Sequence, residues 1–203
     1  FRDEDARADR SPGEFYQLDF EMSFVSQSDI FETIEPVIFE VFKEFSIDKK
    51  ISKPPFEVIK FSEAINKYGT DKPDLRNPLL IQDFSKVFTD SGFKIFEDNI
   101  KKNMVVKGIK VPNCSEKPRT WFDRLNNWAR DSGQKGLGYI IFNDNQAKGP
   151  IANNLKKDKL NKIISDTDLK NGDCLFFISD EKSNAEKFSS SAREKLCDEI
   201  DLR

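Results

Sequence analysis

An α+β fold in two parts is predicted for this chain, and three features predict it. Residues Phe15 to Val25 alternate apolar and polar side chains, Ile30 to Phe45 carry apolar residues at helical intervals, and Asp71 to Pro78 breaks all periodicity before a second series of short strands and helices. Period two marks a strand and period 3.6 a helix; a junction with two prolines, alternating charges and neither period marks a boundary. The division is placed after residue 79, giving a partial antiparallel sheet with helices in 1–79 and a mixed α/β domain in 80–203.

Phe1 to Asp5 is expected to be a short strand, followed by a long loop over Ala6 to Glu14, where Pro12 and Gly13 supply turn chemistry. The strand Phe15 to Val25 then points Tyr16, Leu18, Phe20, Met22 and Phe24 at a core. Its other side carries Gln17, Asp19 and Glu21. Ser26 to Asp29 offers N-cap residues, and Asp29 with Glu32 has capping-box spacing. The helix that follows buries Ile30, Ile34, Val37, Ile38, Val41, Phe42 and Phe45, with Pro36 expected to kink it or shift its start. After the break at Lys53-Pro54-Pro55 come a short strand over Phe56 to Phe61 and a helix from Ser62 that stops at Gly69. In the second part, strands are expected at Leu79 to Asp83, Phe93 to Phe96, Met104 to Val111, Leu137 to Phe142 and Cys174 to Ile178. Helices are expected at Thr120 to Asp131, Lys156 to Ser165 and Asn184 to Cys197. Trp121, Leu125, Trp128 and Ala129 share one helix face and read as core. The chain shows no internal repeat and no low-complexity tract.

Composition narrows the chemistry. The 203 residues include no His, so this chain alone supplies no Ser-His-Asp or Cys-His pair, no H-E-x-x-H zinc site and no imidazole shuttle. Catalysis here must rest on Arg, Lys and carboxylates. Cys114, Cys174 and Cys197 are odd in number and far apart, which indicates neither a disulfide framework nor a zinc ribbon. The formal charge is −3, which argues against gripping nucleic acid by net charge alone. The longest nearly apolar run, Leu137 to Phe142, is far below the ~20 residues of a membrane helix, and no signal peptide opens the chain. The expectation is a cytosolic protein without a membrane segment. Because the sequence opens on Phe1 with charged residues immediately behind it, the chain reads as a piece of a longer one.

The richest chemistry lies at the start, where Arg2, Asp3, Glu4, Asp5, Arg7, Asp9, Arg10 and Glu14 crowd together. By composition this is a solvated charged hairpin. The polar side of the next strand gives it a second meaning, since an antiparallel pair brings Arg2 and Glu4 beside Gln17, Asp19 and Glu21. A guanidinium fixed on a sheet holds a phosphate or carboxylate bidentately at any working pH, and a carboxylate accepts from amino groups or an ammonium. Residue types alone point to a substrate bearing both charges, such as an adenine nucleotide.

The run Phe1-Arg2-Asp3-Glu4-Asp5-Ala6-Arg7-Ala8-Asp9-Arg10, continuing through Glu14-Phe15-Tyr16-Gln17-Leu18-Asp19-Phe20-Glu21, strongly resembles motif 2 of the bacterial-type aspartyl class of class II aminoacyl-tRNA synthetases. Tyr68-Gly69-Thr70-Asp71-Lys72-Pro73-Asp74-Leu75-Arg76 resembles a second stretch of that family at the expected distance. The stretches Lys135 to Ile140, Lys148 to Ala152 and Asn171 to Phe177 are similar to the domain the family inserts between motifs 2 and 3, the GAD domain shared with the B subunit of the tRNA-dependent amidotransferase. The resemblance covers nearly the whole chain, most firmly 1–25 and 66–78. It implies a partial class II antiparallel sheet in 1–79 and a GAD-type insertion in 80–203.

The resemblance also implies an ATP-dependent, Mg²⁺-requiring ligase that forms aspartyl-adenylate and passes the aspartyl group to tRNA, working as a cytoplasmic homodimer. Arg2 would be its catalytic residue here, bridging the ATP α-phosphate and the aspartate carboxylate. Asp3 and Glu4 would serve the ATP, Glu4 at the adenine end. Gln17 and Asp19 would hold the aspartate, Asp19 at its ammonium. Arg7 and Arg10 would approach the tRNA acceptor end, and no metal ligand is assigned. Ser11 departs from the Gln common in relatives and receives no ATP contact. Motif 1, motif 3 and the anticodon-binding OB-fold are not among these residues, so the chain alone is expected to be catalytically silent. The alternative is a non-catalytic RNA- or protein-binding module whose basic face comprises Lys101, Lys102, Lys107, Lys110, Lys156, Lys157, Lys159 and Lys162. Lysyl or asparaginyl specificity is disfavoured by the inserted-domain resemblance.

Overall fold

The computed structural model describes residues 13–203 and, as backbone only, Arg2 and Asp3. It divides into two compact units, Phe1–Val58 and Ile59–Arg203.

In the first unit, β1 (Arg2–Asp3) pairs antiparallel with β2 (Glu14–Phe15), with Arg2 opposite Phe15 and Asp3 opposite Glu14. The helix α1 (Gln27–Phe45) follows. Its N-cap is Ser26, whose hydroxyl accepts from the Asp29 amide while the Ser26 amide donates to the Asp29 carboxylate at 2.7 Å. This reciprocal cap satisfies two end donors and sits one turn earlier than the Asp29–Glu32 spacing suggested. The helix runs through Pro36 without ending.

The strand expected over Phe15 to Val25 is regular only to Phe15. Tyr16, Leu18, Phe20, Met22 and Phe24 are exposed rather than buried in a core. The physical reason is a missing ladder: beyond Phe15 no described strand is offered for pairing, and an isolated strand has no stability of its own. Leu18, Phe20 and Met22 instead border a hollow with Ile30, Ile34, Val37 and Ile38 of α1, no residue of which is fully buried. The expected strand at Phe56 to Phe61 is likewise absent. Behind Pro54 and Pro55, the Phe56 amide donates to the Glu35 carboxylate at 3.2 Å, not to a sheet.

The second unit is a three-layer sandwich. Its elements are α2 (Phe61–Tyr68), β3 (Ile81–Asp83), α3 (Ser85–Phe88), α4 (Lys94–Lys101), β4 (Val105–Val111), α5 (Arg119–Asp131), β5 (Gly138–Asn143), β6 (Gln146–Lys148), α6 (Pro150–Asn154), α7 (Lys157–Thr167), β7 (Cys174–Asp180) and α8 (Lys182–Glu199). The five strands form one antiparallel sheet in the order β3-β4-β7-β5-β6. Central β7 explains the uninterrupted apolar run at Cys174 to Ile178. Cys174, Phe176 and Ile178 face the layer of α5 and α8, and Leu175 and Phe177 face that of α3, α4, α6 and α7. A strand covered on both faces shows no polar alternation.

Phenylalanines fill the second face edge to face: Phe88 lies 4.8 Å from Phe96 and 5.2 Å from Phe177 between ring centroids. This is where the predicted strand Phe93 to Phe96 fails. Those residues open α4, because Phe93, Phe96 and Ile100 recur at helical spacing and pack together on the sheet. Trp121, Leu125 and Ala129 are buried as expected, with Trp128 half-buried and stacked on Phe188 at 5.1 Å. The helix α2 ends where expected, at Gly69, whose φ of 73° is one that glycine adopts freely.

Glu199 closes the α5–α8 layer. It accepts from Trp121 Nε1 at 3.0 Å and from Arg124 at 2.8 and 2.6 Å, and pairs with Lys195 at 3.0 Å. The Arg124 hydrogen bonds foremost hold its pKa down at about 2, against an ordinary 4.5. A depressed carboxylate contributes stability above its unfolded value and loses it as pH falls towards the folded one. Thermal midpoints of the protein are therefore expected to fall between about pH 4.5 and 2, and Glu199→Gln to flatten that part of the curve; an unchanged slope in the variant would contradict the assignment.

Candidate functional site

Of the residues that sequence assigns to a site, Arg2 and Asp3 have described backbone, Gln17 and Asp19 are described in full, and Glu4, Arg7 and Arg10 lie outside the described residues. Of the strand–loop–strand arrangement expected around them, the two strand ends pair as the β1–β2 ribbon, and residues 4–12 lie outside the described residues. Arg2 stands opposite Phe15 in the ribbon, and regular pairing ends there. Gln17 Nε2 donates to Asp19 Oδ1 at 2.5 Å, a contact that requires these two side chains to be on the same side. Gln17 and Asp19 are both exposed. An amide and a carboxylate thus lie together on the exposed segment behind β2, open to a ligand.

Among the described residues, no three His, Cys, Asp or Glu side chains cluster in a way that could hold a metal ion, and no helix is long and apolar enough to cross a membrane.

The stretch Tyr68 to Leu79 is held within the second unit by a residue that sequence reasoning missed. Arg193 of α8 is 1% exposed. Its Nε donates to the Leu79 carbonyl at 2.6 Å, and its Nη2 donates to the carbonyls of Asp74 at 2.9 Å and Asn77 at 2.6 Å. Nη1 reaches Glu194 at 2.9 Å, and the guanidinium lies 5.0 Å from the centre of the Tyr68 ring. Asn77 reciprocates by donating from Nδ2 to the Arg193 carbonyl at 3.1 Å. Burial lowers the Arg193 pKa, an effect the neighbouring Glu194 opposes. The signal in the sequence was a charge set inside the apolar stripe of α8 formed by Ala185, Phe188, Ala192 and Leu196. Asp74, by contrast, is held well below the carboxylate range by hydrogen bonds from Arg76, with Arg203 adding to the effect. The division of the chain at Val58 precedes the boundary drawn at residue 79 because these contacts bind 68–79 to α8.

The lysines of the alternative reading's basic face are paired with carboxylates only in part, Lys101 lying 3.7 Å from Asp98. Lys107 is buried and pairs with Asp83 at 2.9 Å, which corrects its assignment to the surface. Lys110 and Lys159 donate to the carbonyls of Asp168 and Thr89, and Lys162 pairs with Asp166 at 3.0 Å. Lys135 to Tyr139 with Pro150 and Ile151, by contrast, line a cleft on the sheet.

Comparison with known proteins extends this picture. The family model described as tRNA synthetases class II (D, K and N) matches residues 1–200. Proteins named aspartate–tRNA(Asp/Asn) ligase are similar along the whole chain: that of Rickettsia bellii strain OSU 85-389 is 52% identical over 203 residues, and that of Paramagnetospirillum magneticum strain AMB-1 is 50% identical over 202. The Rickettsia conorii protein is 50% identical over 203 residues. The chain spans 34% of the length of the two Rickettsia relatives and 23% of the Paramagnetospirillum one.

Proposed function

The chain belongs to the class II tRNA synthetases (D, K and N), and from that premise we propose that it is part of an aspartate–tRNA ligase. In this reading 1–79 contributes to the catalytic domain and 80–203 is the GAD-type insertion. The observation that carries it is the likeness of the whole chain to proteins named aspartate–tRNA(Asp/Asn) ligase, with the exposed Gln17–Asp19 pair on the segment behind β2 in support.

The aspartate α-carboxylate attacks the α-phosphorus of ATP in line and pyrophosphate leaves. Arg2 is the catalytic residue: its fork spans the attacking carboxylate and the α-phosphate, offsetting the charge that gathers on the phosphoryl oxygens. Asp3 and Glu4 orient the ATP, Glu4 at the adenine. Asp19 receives the aspartate ammonium, with Gln17 beside it fixing the carboxylate's position. In the second step a hydroxyl of the terminal ribose of tRNA attacks the adenylate carbonyl and AMP leaves, while Arg7 and Arg10 steady the acceptor end. Mg²⁺ would come with the ATP phosphates and offset part of their charge, and no described side chain is assigned to hold it. The intact enzyme is a cytoplasmic homodimer, and its tRNA range follows the names of its relatives, covering aspartate and asparagine tRNA.

Transfer of labelled aspartate to tRNA by the intact protein tests the reading. Charging is expected from the intact enzyme and none from the 203-residue chain alone. Adenylate formation by the isolated chain would contradict the requirement for ATP-binding groups beyond these residues.

A further inference from the structure

A cleft of about 400 Å³ opens on the second unit between α4, α5, the start of β5 and the start of α6. Its size is that of a small-ligand site. The walls are apolar, and two of their rings, Phe93 and Tyr139, keep part of their surface uncovered. Ile95 stands at the edge, 63% exposed.

The polar lining is of two kinds. At the rim, Arg130 and Lys135 are exposed, and among the described residues neither has a carboxylate partner, whereas the one rim carboxylate, Asp123, lies 3.7 Å from Arg119. In the lining, Asn99 is 7% exposed and donates from Nδ2 to Ser179 Oγ at 2.9 Å, leaving its Oδ1 and the Ser179 hydroxyl proton uncommitted. Asn126 accepts from the Leu137 amide at 2.9 Å, leaving its NH₂ uncommitted. Gly136 permits that arrangement: its φ is 150°, and a Cβ there would stand 2.7 Å from Asn126 Oδ1. The cleft thus offers neutral donors and acceptors together in an apolar slot, with unpaired cations only at its mouth.

We propose that this cleft receives one unstacked nucleotide of an RNA strand, the base in the slot and its phosphate at Arg130 and Lys135. A base is flat, apolar on its faces and carries donors and acceptors on its edge, which matches the mixed set of Asn99, Ser179 and Asn126. A carboxylate would use the donors of Ser179 and Asn126 but leave Asn99 Oδ1 facing an acceptor, whereas a base edge serves both kinds. Aromatic stacking with cationic backbone contacts is how single strands are held without deep burial. The exposed position of both cations suits a phosphate that continues into solvent as part of a chain. The tRNA-ligase reading supplies only the source of the strand; the chemistry of the cleft does not depend on it.

Fluorescence anisotropy of a labelled single-stranded RNA tetranucleotide with the 203-residue protein at low salt tests the proposal. Saturable binding is expected, weakened about tenfold or more by Lys135→Glu and by Ile95→Glu, both at exposed positions, with Lys53→Glu close to the parent. Absence of binding by the parent protein would overturn the proposal, as would cleft variants that weaken binding no more than Lys53→Glu. Competition by free uridine or adenosine monophosphate at the same concentration as the tetranucleotide would overturn the assignment to a strand. Failure of the intact enzyme to activate aspartate would sink the ligase reading and leave these binding results untouched.

Discussion

Arg193→Ala is expected to destabilise the second unit by about 3–5 kcal/mol, the range seen when one partner of a buried charged network is removed. Truncation leaves the carbonyls of Asp74, Asn77 and Leu79 without their donor in a site from which the 1%-exposed side chain had excluded water. Each buried carbonyl left unpaired costs about 1–3 kcal/mol, and the vacated volume adds to that. Arg193→Lys should recover little, because one ammonium cannot replace a planar fork whose Nε and Nη2 serve different carbonyls. Arg76→Ala provides the contrast: its pair with Asp74 is short at 2.7 Å, but the Arg76 side chain is 75% exposed, so a far smaller loss is expected. Urea midpoints of the three variants measure the ranking. Equal midpoints for Arg193→Ala and Arg76→Ala would remove Arg193 from its place as the anchor of Tyr68 to Leu79.

Arg2→Ala in the intact enzyme is expected to lower kcat/KM for adenylate formation by about 10³-fold, the scale on which one preorganised group stabilising a charged transition state acts. Arg2→Lys should rescue little, since a point charge cannot span a carboxylate and a phosphate bidentately. Single-turnover formation of the adenylate reads the chemical step directly. Loss confined to the KM for ATP, with the single-turnover rate intact, would make Arg2 a binding residue rather than a catalytic one.

How far the sequence reaches can be seen in particular elements. The helix over Arg119–Asp131, the strand at Val105–Val111 and the stop at Gly69 follow from local pattern and local geometry, and all are present. Phe93 to Phe96 was misread because four residues are too few to separate period two from period 3.6; Ile100, one turn further on, carries the distinction. The length of the Phe15 strand was misread for a different reason. Alternation states that a segment is suited to a sheet, while pairing depends on partners, and beyond Phe15 no described strand supplies one. Arg193 was hidden by tertiary context: nothing within α8 announces that its charge will meet three carbonyls more than a hundred residues away in sequence. At the candidate site, the identities of Arg2, Gln17 and Asp19 were legible from the motif. Gln17 and Asp19, two residues apart as alternation has them, are joined by a hydrogen bond, and the side chain of Arg2 lies outside the described residues. The cleft by Lys135 was not legible, since its lining comes from three helices, two strands and the turn before β5, scattered through the sequence.

The central claim is that the intact protein containing this chain activates aspartate. Amino-acid-dependent ATP–pyrophosphate exchange, with aspartate, asparagine and lysine offered separately, tests it most directly. The account predicts exchange with aspartate alone. Exchange with lysine or asparagine in its place would assign the enzyme a different amino acid within the same family, and exchange with none of the three would contradict the ligase reading itself.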